Sequence, residues 1–425
     1  MRHNRASLVM FRFRSQSILI VAAAEIFWIA IASVPSPAQN LKPLQIVSEQ
    51  RVKTGVEVYE GMSAEPFAGR RIGIITNQTG VDAFGHRTID MFAGRADVKL
   101  VAIFSPEHGL GGTSEGTVAN ATDAATGVPI YSLYGETQRP TDAMLKGIDT
   151  LVFDIQDAGV RFYTYVTTMA YCMEAAAKHH IEFVVFDRPD PLGGEVLEGP
   201  MLDPDRISFT AYFPMPVRYG MTIGELAEMF NGENHIGANL RVIAMRDWPR
   251  EETYDQTGLR WVPPSPNLRT VNEAFLYPSI EILQAGGVSV GRGTDTPFEV
   301  VGAPWIRSDQ LAAEMQRRAI PGMRFAAAQF TPAGSLYSGQ LCSGVEMEVT
   351  DRNSFRSMRM GLEIADALRR LYPERFKIEK IDTLVGSRST SERLKRGDAP
   401  AGIVAGWSDD LDKFRRVREK YLLYK

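Results

Sequence analysis

Residues able to move a proton or hold an anion recur in this chain directly after short apolar runs. The sharpest case is Phe104-Ser105-Pro106-Glu107-His108-Gly109, where the run Val98 to Phe104 stops and a carboxylate and an imidazole follow at once. Pro106 and Gly109 bracket them, which predicts a tight loop just past a strand end. A partly buried carboxylate in such a loop can serve as a general acid or base; the plainer alternative is a solvated loop acid. Asp154 and Asp157 follow a second apolar run. Two carboxylates three apart suit an acid/base pair or a divalent cation, unless Asp154 caps backbone amides and Asp157 pairs with Arg161. Asn77 and Gln78 follow a third run, and Asp187 and Arg188 a fourth. Arg161, Arg188 and Arg292 each stand beside turns bearing Gly or Pro. There a guanidinium can clamp a carboxylate through two parallel hydrogen bonds, or pair with a neighbouring Asp. Tyr163, Tyr165, Trp261 and Trp305 offer faces for a sugar ring, although an aromatic residue more often packs in a core.

Several chemistries find little support. The six histidines offer no metal-ligand spacing beyond the adjacent His179-His180, so no metal is expected. Gly291-Arg292-Gly293-Thr294 lacks the Lys-Ser/Thr of a phosphate loop, and Thr76-Asn77-Gln78-Thr79-Gly80 lacks the dinucleotide glycine fingerprint. No Gly-x-Ser-x-Gly elbow is present. No cofactor is therefore expected. A net charge of −4 gives no basic footprint for nucleic acid.

The elements that must position these residues follow from the same pattern. Arg71 to Thr76, Val98 to Phe104, Thr150 to Asp154 and Glu182 to Asp187 are short, nearly continuous and rich in β-branched residues. Such runs are strands buried on both faces, as in a parallel sheet. Helical segments separate them, the clearest from Thr164 to His180, and the alternation predicts a Rossmann-like, doubly wound α/β fold. All the polar clusters then share the carboxyl edge of one sheet, where such folds bind ligands. Thr222 and Glu225 form a capping box ahead of an apolar helix. Trp261-Val262-Pro263-Pro264-Ser265-Pro266-Asn267 can be neither helix nor central strand, so it is a linker or a rigid loop lining a site. A second, smaller α+β domain is expected from Arg269, giving a catalytic domain over residues 45–268 and a C-terminal domain over 269–425. It holds a strand from Cys342 to Val349, an amphipathic helix from Ser354 to Leu371, and a closing helix with Ser408 as cap. Residues 1–38 read as an export signal: a basic start, an apolar run, and small residues before Gln39. Glu25 argues against a permanent span, so a periplasmic or secreted protein with no membrane span after cleavage is expected. Cys172 and Cys342 are expected to be separate thiols, and the sequence leaves a homodimer open.

Taken together, several segments resemble a known family. They are Thr76 to Gly80, Phe104 to Gly109, Tyr131 to Gly135, Val152 to Tyr165, Phe186 to Pro191, Leu197 to Pro200, Pro263 to Asn267 and Ser289 to Trp305. In this order they are similar to the NamZ family of exo-β-N-acetylmuramidases. The resemblance implies a Rossmann-like domain with a smaller C-terminal domain completing the cleft. It also implies release of N-acetylmuramic acid from the non-reducing ends of peptidoglycan fragments. Glu107 is implied as the key carboxylate. Glycoside cleavage then asks for a second group, for which Asp154, Asp157 or the substrate's own acetamido group are candidates. The lactyl carboxylate of muramic acid asks for an arginine. Asn77, Gln78, His108, Tyr163, Tyr165, Asp187, Asn267 and Thr294 complete the expected substrate-binding set. The rival readings are a non-catalytic cell-wall sugar-binding protein and a metal-dependent peptidoglycan amidase or deacetylase.

Overall fold

Each of the four apolar runs becomes a strand of one sheet in the computed structural model, which describes residues 51–62 and 66–425. The expected export signal lies outside the described residues. The strands are β1 (Arg71–Thr76), β2 (Lys99–Ser105), β3 (Ala121–Thr122), β4 (Pro129–Ser132), β5 (Thr150–Asp154), β6 (Glu182–Phe186) and β7 (Asn239–Ile243). They lie in the order β3-β4-β2-β1-β5-β6-β7, and every pairing is parallel except β3 with β4. The apolar runs are continuous because both faces are covered. Ile72, Ile74, Ile103, Val152, Val184 and Phe186 pack on one face with Tyr59, Phe67 and Phe92. Ile75, Phe104, Leu151, Phe153, Phe183 and Val185 pack on the other, with Met169 and Met173 of the helix Tyr165–Lys178. The strand order reverses between β1 and β5, so the loops Thr76–Gly80 and Ile155–Gly159 flank the switch point.

The second sheet is small and antiparallel. β8 (Val300–Ala303), β9 (Met323–Phe330) and β10 (Cys342–Val349) lie in the order β8-β10-β9. Beside it the helix Val271–Gln284 packs on the helix Ser357–Leu371. Gly361 permits that approach, since a Cβ there would lie 2.8 Å from the Ser279 carbonyl oxygen. Both cysteines are buried and unpaired. Among the described residues, no helix is long and apolar enough to cross a membrane.

The Thr222 box forms as the sequence predicts: Thr222 Oγ1 accepts from Glu225 N at 3.2 Å, and Glu225 Oε2 accepts from Thr222 N at 3.0 Å. Ser408 does not cap. The helix Ser408–Arg418 starts at Ser408 itself, because Trp407 already has helical dihedrals and Ser408 Oγ donates backwards to the Ala405 carbonyl. The chain then returns to the first sheet. Tyr424 OH donates to Asp187 Oδ2 at 2.5 Å, and Leu423 N donates to Glu225 Oε1 at 2.9 Å. Arg418 donates to the carbonyls of Gly194 and Gly220.

Candidate active site

Glu107 stands in the loop that follows β2, and the loop's shape is fixed by its backbone. His108 and Gly109 both adopt left-handed conformations, with φ of 70° and 75°. Glycine accepts this readily, whereas His108 is held there by its own contacts: Nδ1 lies 2.6 Å from the Ser114 carbonyl. The turn presents Glu107 to the start of the helix Tyr165–Lys178. Thr164 Oγ1 donates to Glu107 Oε2 at 2.6 Å. Tyr134 lines the same cavity as Glu107; burial first, then the nearby Glu107 carboxylate, push its phenol up to about 12.

Glu107 opens into a cavity of about 450 Å³, within the range of small-molecule sites. Tyr163, Thr164, Phe162 and Tyr134 line it from the first sheet's side, and Tyr277, Glu281, Arg292 and Phe298 from the second. The wall is aromatic: Tyr277 meets Phe162, Tyr163 and Phe298 edge-on, with ring centroids 5.4, 5.9 and 5.0 Å apart. Two further carboxylates line the cavity, Glu115 and Glu281. Glu281 is 9% exposed; its Oε1 accepts from Arg292 Nη2 at 2.8 Å, and its Oε2 has no hydrogen-bond partner. Burial raises its pKa and Arg292 opposes the rise. Arg292 also donates from Nε to Gln284 Oε1 at 3.1 Å and lies 5.2 Å from the Phe298 ring centroid. This leaves the Nη1 end of the guanidinium uncommitted.

Of the residues singled out from sequence, Glu107, His108, Tyr163 and Arg292 line this cavity. Tyr165 and Asn267 support it. Tyr165 OH donates to the Pro264 carbonyl at 2.6 Å and lies 3.4 Å from the Glu107 carbonyl. Asn267 Nδ2 donates to Glu115 Oε1 at 2.5 Å, while its Oδ1 accepts from Gly293 N. The Pro-rich segment is therefore a rigid loop at the site, with Ser265 in the lining. Thr294 closes the turn that carries Arg292, donating to the Gly291 carbonyl at 2.6 Å.

The other candidates lie elsewhere, bound into the protein. Asp154 is fully buried and accepts from Arg188 Nε at 2.6 Å and from Thr88 Oγ1. It is neither a backbone cap nor part of the cavity lining. Asp157 does not pair with Arg161: its Oδ2 accepts from Gly159 N at 2.8 Å and from Tyr219 OH, and burial raises its pKa to about 6. Arg161 is 1% exposed and spends its guanidinium on four carbonyls, those of Pro200, Met215, Leu384 and Val385. Asp187 accepts from Gly224 N, Arg188 N, Thr222 Oγ1 and Tyr424 OH. Asn77 Oδ1 accepts from Thr79 N at 2.9 Å, shaping the turn after β1. Gln78 donates to the Pro263 carbonyl at 2.7 Å and, with Arg188, lines a separate cavity of about 250 Å³ near the switch point.

Sequence reasoning missed Thr164, Tyr134, Tyr277 and Glu281. Tyr134 lay within the Tyr131–Gly135 segment and Thr164 at the predicted helix start, so both had a local signal. Glu281 and Tyr277 had none, because they sit inside a helix whose buried face only the second sheet defines.

Comparison with known proteins agrees with this architecture. The family profile described as "Exo-beta-N-acetylmuramidase NamZ, N-terminal" matches residues 72–272, and its C-terminal counterpart matches residues 275–424. The chain is similar to the peptidoglycan beta-N-acetylmuramidase NamZ of Bacillus subtilis (strain 168), at 42% identity over 401 residues, which is 93% of this chain and 96% of that protein. Two crystal structures of DUF1343 family proteins from Bacteroides fragilis share the fold. One has a TM-score of 0.81 and 39% identity, covering 88% of this chain and all of the other. The second has a TM-score of 0.71 and 31% identity, covering 88% of this chain and 99% of the other.

Proposed function

This chain belongs to the NamZ family of exo-β-N-acetylmuramidases, and from that premise we propose that it removes N-acetylmuramic acid from the non-reducing ends of peptidoglycan fragments with Glu107 as the acid. The observation that carries the residue assignment is the Glu107 carboxylate, held by the Thr164 hydroxyl in the lining of an aromatic-walled cavity. Protonated Glu107 gives its proton to the glycosidic oxygen as the bond to the anomeric carbon breaks. The sugar develops oxocarbenium-like charge, a water oxygen bonds to the anomeric carbon, and the water's proton passes to a carboxylate. Thr164 fixes the angle of Glu107 through both halves of the cycle. Glu281 supplies the second negative charge, since it is buried, fixed at one oxygen by Arg292 and unpartnered at the other. Asp154 and Asp157 are left to structure. Of the three arginines considered, Arg292 is the one in the cavity lining, and its uncommitted Nη1 end suits the lactyl carboxylate. Residues 1–38 act as an export signal that delivers the enzyme to the compartment holding its polymer.

The test is Glu107→Gln assayed on a chromogenic β-N-acetylmuramic acid glycoside, with the free sugar identified as product. Turnover should fall about 10²- to 10⁴-fold while the melting temperature holds. A folded variant with near wild-type turnover would remove Glu107 from the mechanism. Binding of fragments by the wild type without release of the sugar would favour the non-catalytic reading.

A further inference from the structure

A concavity of about 830 Å³, larger than the Glu107 cavity, lies beside it. It is lined by Arg139, Tyr171, Glu174, Tyr212 and Ile207, among others. One segment joins the two. Ser208 and Ala211 exchange backbone hydrogen bonds and close a tight hairpin whose tip is Phe209-Thr210. That tip lines the Glu107 cavity, while Ile207 and Tyr212 on either side line the larger one. The Phe209 ring stands 6.0 Å from Tyr134 on one side and 6.1 Å from Tyr171 on the other. The result is an aromatic strip that starts at Tyr134, in the same cavity lining as Glu107, and runs on to the larger concavity.

Direction follows from the chemistry of the acid. A general acid must stand at the glycosidic oxygen, so the departing sugar begins beside Glu107. With Arg292 taking the lactyl carboxylate of the sugar to be released, the strip Tyr134–Phe209–Tyr171, which passes from this cavity to the larger concavity, is left for the departing side. Resting on the glycosidase reading above, we infer that this shelf binds the leaving side of the fragment, beginning with the uncharged N-acetylglucosamine next to the released sugar. Its chemistry fits. Half-buried Tyr134 and Phe209 receive the C–H faces of sugars, Arg139 and Tyr171 form a stacked pair beyond them, and exposed Ile207 extends the apolar rim. Polar groups at the flank are already ordered: Arg139 lies over the Tyr171 ring at 3.4 Å and pairs with Glu174, and Tyr212 OH donates to Glu174 Oε1 at 2.7 Å. The cations there are balanced, Arg139 by Glu174 and Lys178 by Asp142. This favours a neutral saccharide over an acidic stem peptide.

The experiment compares kcat/KM on a chromogenic β-N-acetylmuramic acid glycoside with kcat/KM on a peptide-free tetrasaccharide headed by N-acetylmuramic acid. Arg139→Ala and Tyr171→Ala should each lower the ratio of tetrasaccharide to glycoside efficiency by about three- to tenfold. Binding of the tetrasaccharide to Glu107→Gln protein, followed by calorimetry, should weaken by the same factor when either substitution is added. A ratio unchanged in both variants overturns the inference, and so does an effect confined to peptide-bearing fragments. In either case the glycoside is still cleaved. Wild-type protein that cleaves neither substrate would instead refute the glycosidase reading itself.

Discussion

Arg161 offers the clearest separation between a residue that binds substrate and one that holds the site together. Its sequence setting suits a carboxylate clamp, yet its guanidinium ends on four backbone carbonyls at 2.7 to 3.1 Å. Burial lowers its pKa from 12.5 to about 9. Arg161→Met keeps much of the volume and removes every donor. Four acceptors then lose their partner, and the net loss should be on the order of 3 kcal/mol. With an unfolding entropy near 2.1 cal/mol/K per residue, this corresponds to a melting temperature lower by about 4 °C. The assay pairs a thermal melt with relative turnover of N-acetylmuramic acid and N-acetylglucosamine glycosides. The preference should persist in Arg161→Met and be lost in Arg292→Ala. An Arg161→Met protein that melts like wild type but no longer prefers the muramic substrate would refute the reasoning.

Two other outcomes test separate parts of the structure. Thr164→Val removes the hydroxyl that fixes Glu107 while conserving shape, so kcat on the chromogenic glycoside should fall about tenfold with KM little changed; equal kcat in the two proteins would deny Thr164 a positioning role. Folding stability should fall as pH rises from about 4 to 7, because burial raises Asp157 to about 6 and Asp187 and Asp190 to about 7. Unfolded aspartates titrate near 3.9, so in this window the native state holds protons that the unfolded chain has released, and each carboxyl contributes up to about 1.4 kcal/mol per pH unit. Denaturant titrations at pH 5 and 7.5 should show the acidic sample to be the more stable; the reverse order would show that these carboxyls stay ionised.

The fold was legible because its signal is local. Runs such as Leu151-Val152-Phe153 cannot alternate when both sheet faces are covered, so their continuity announces a central parallel strand. Glu107 was legible for a similar reason, being fixed by Pro106, Gly109 and the end of β2. Its partners were not. Asp154, Asp157, Asp187 and Arg161 carry the same local signature as a site residue, namely a charge after a strand. Whether such a charge meets solvent, substrate or four carbonyls depends on segments distant in sequence. Arg161 is taken up partly by Leu384 and Val385, and Asp187 by Tyr424. Glu281 shows the converse, a charged residue in mid-helix whose neighbours alone do not mark it as buried. Shared position along a sheet edge was a necessary condition for the site, and the second sheet supplied the rest.

The return of Tyr424 and Leu423 to the first sheet also bears on how the protein resists proteolysis. Asp187 accepts a hydrogen bond from Tyr424 OH, and Glu225 accepts one from Leu423 N. A chain cut before residue 423 leaves both buried carboxyl groups short of a partner that the uncut structure provides, at about 1 kcal/mol or more each. The segment thus acts as a clasp between stretches far apart in sequence, and a chain trimmed before residue 423 is expected to be more open to further protease attack than the uncut one.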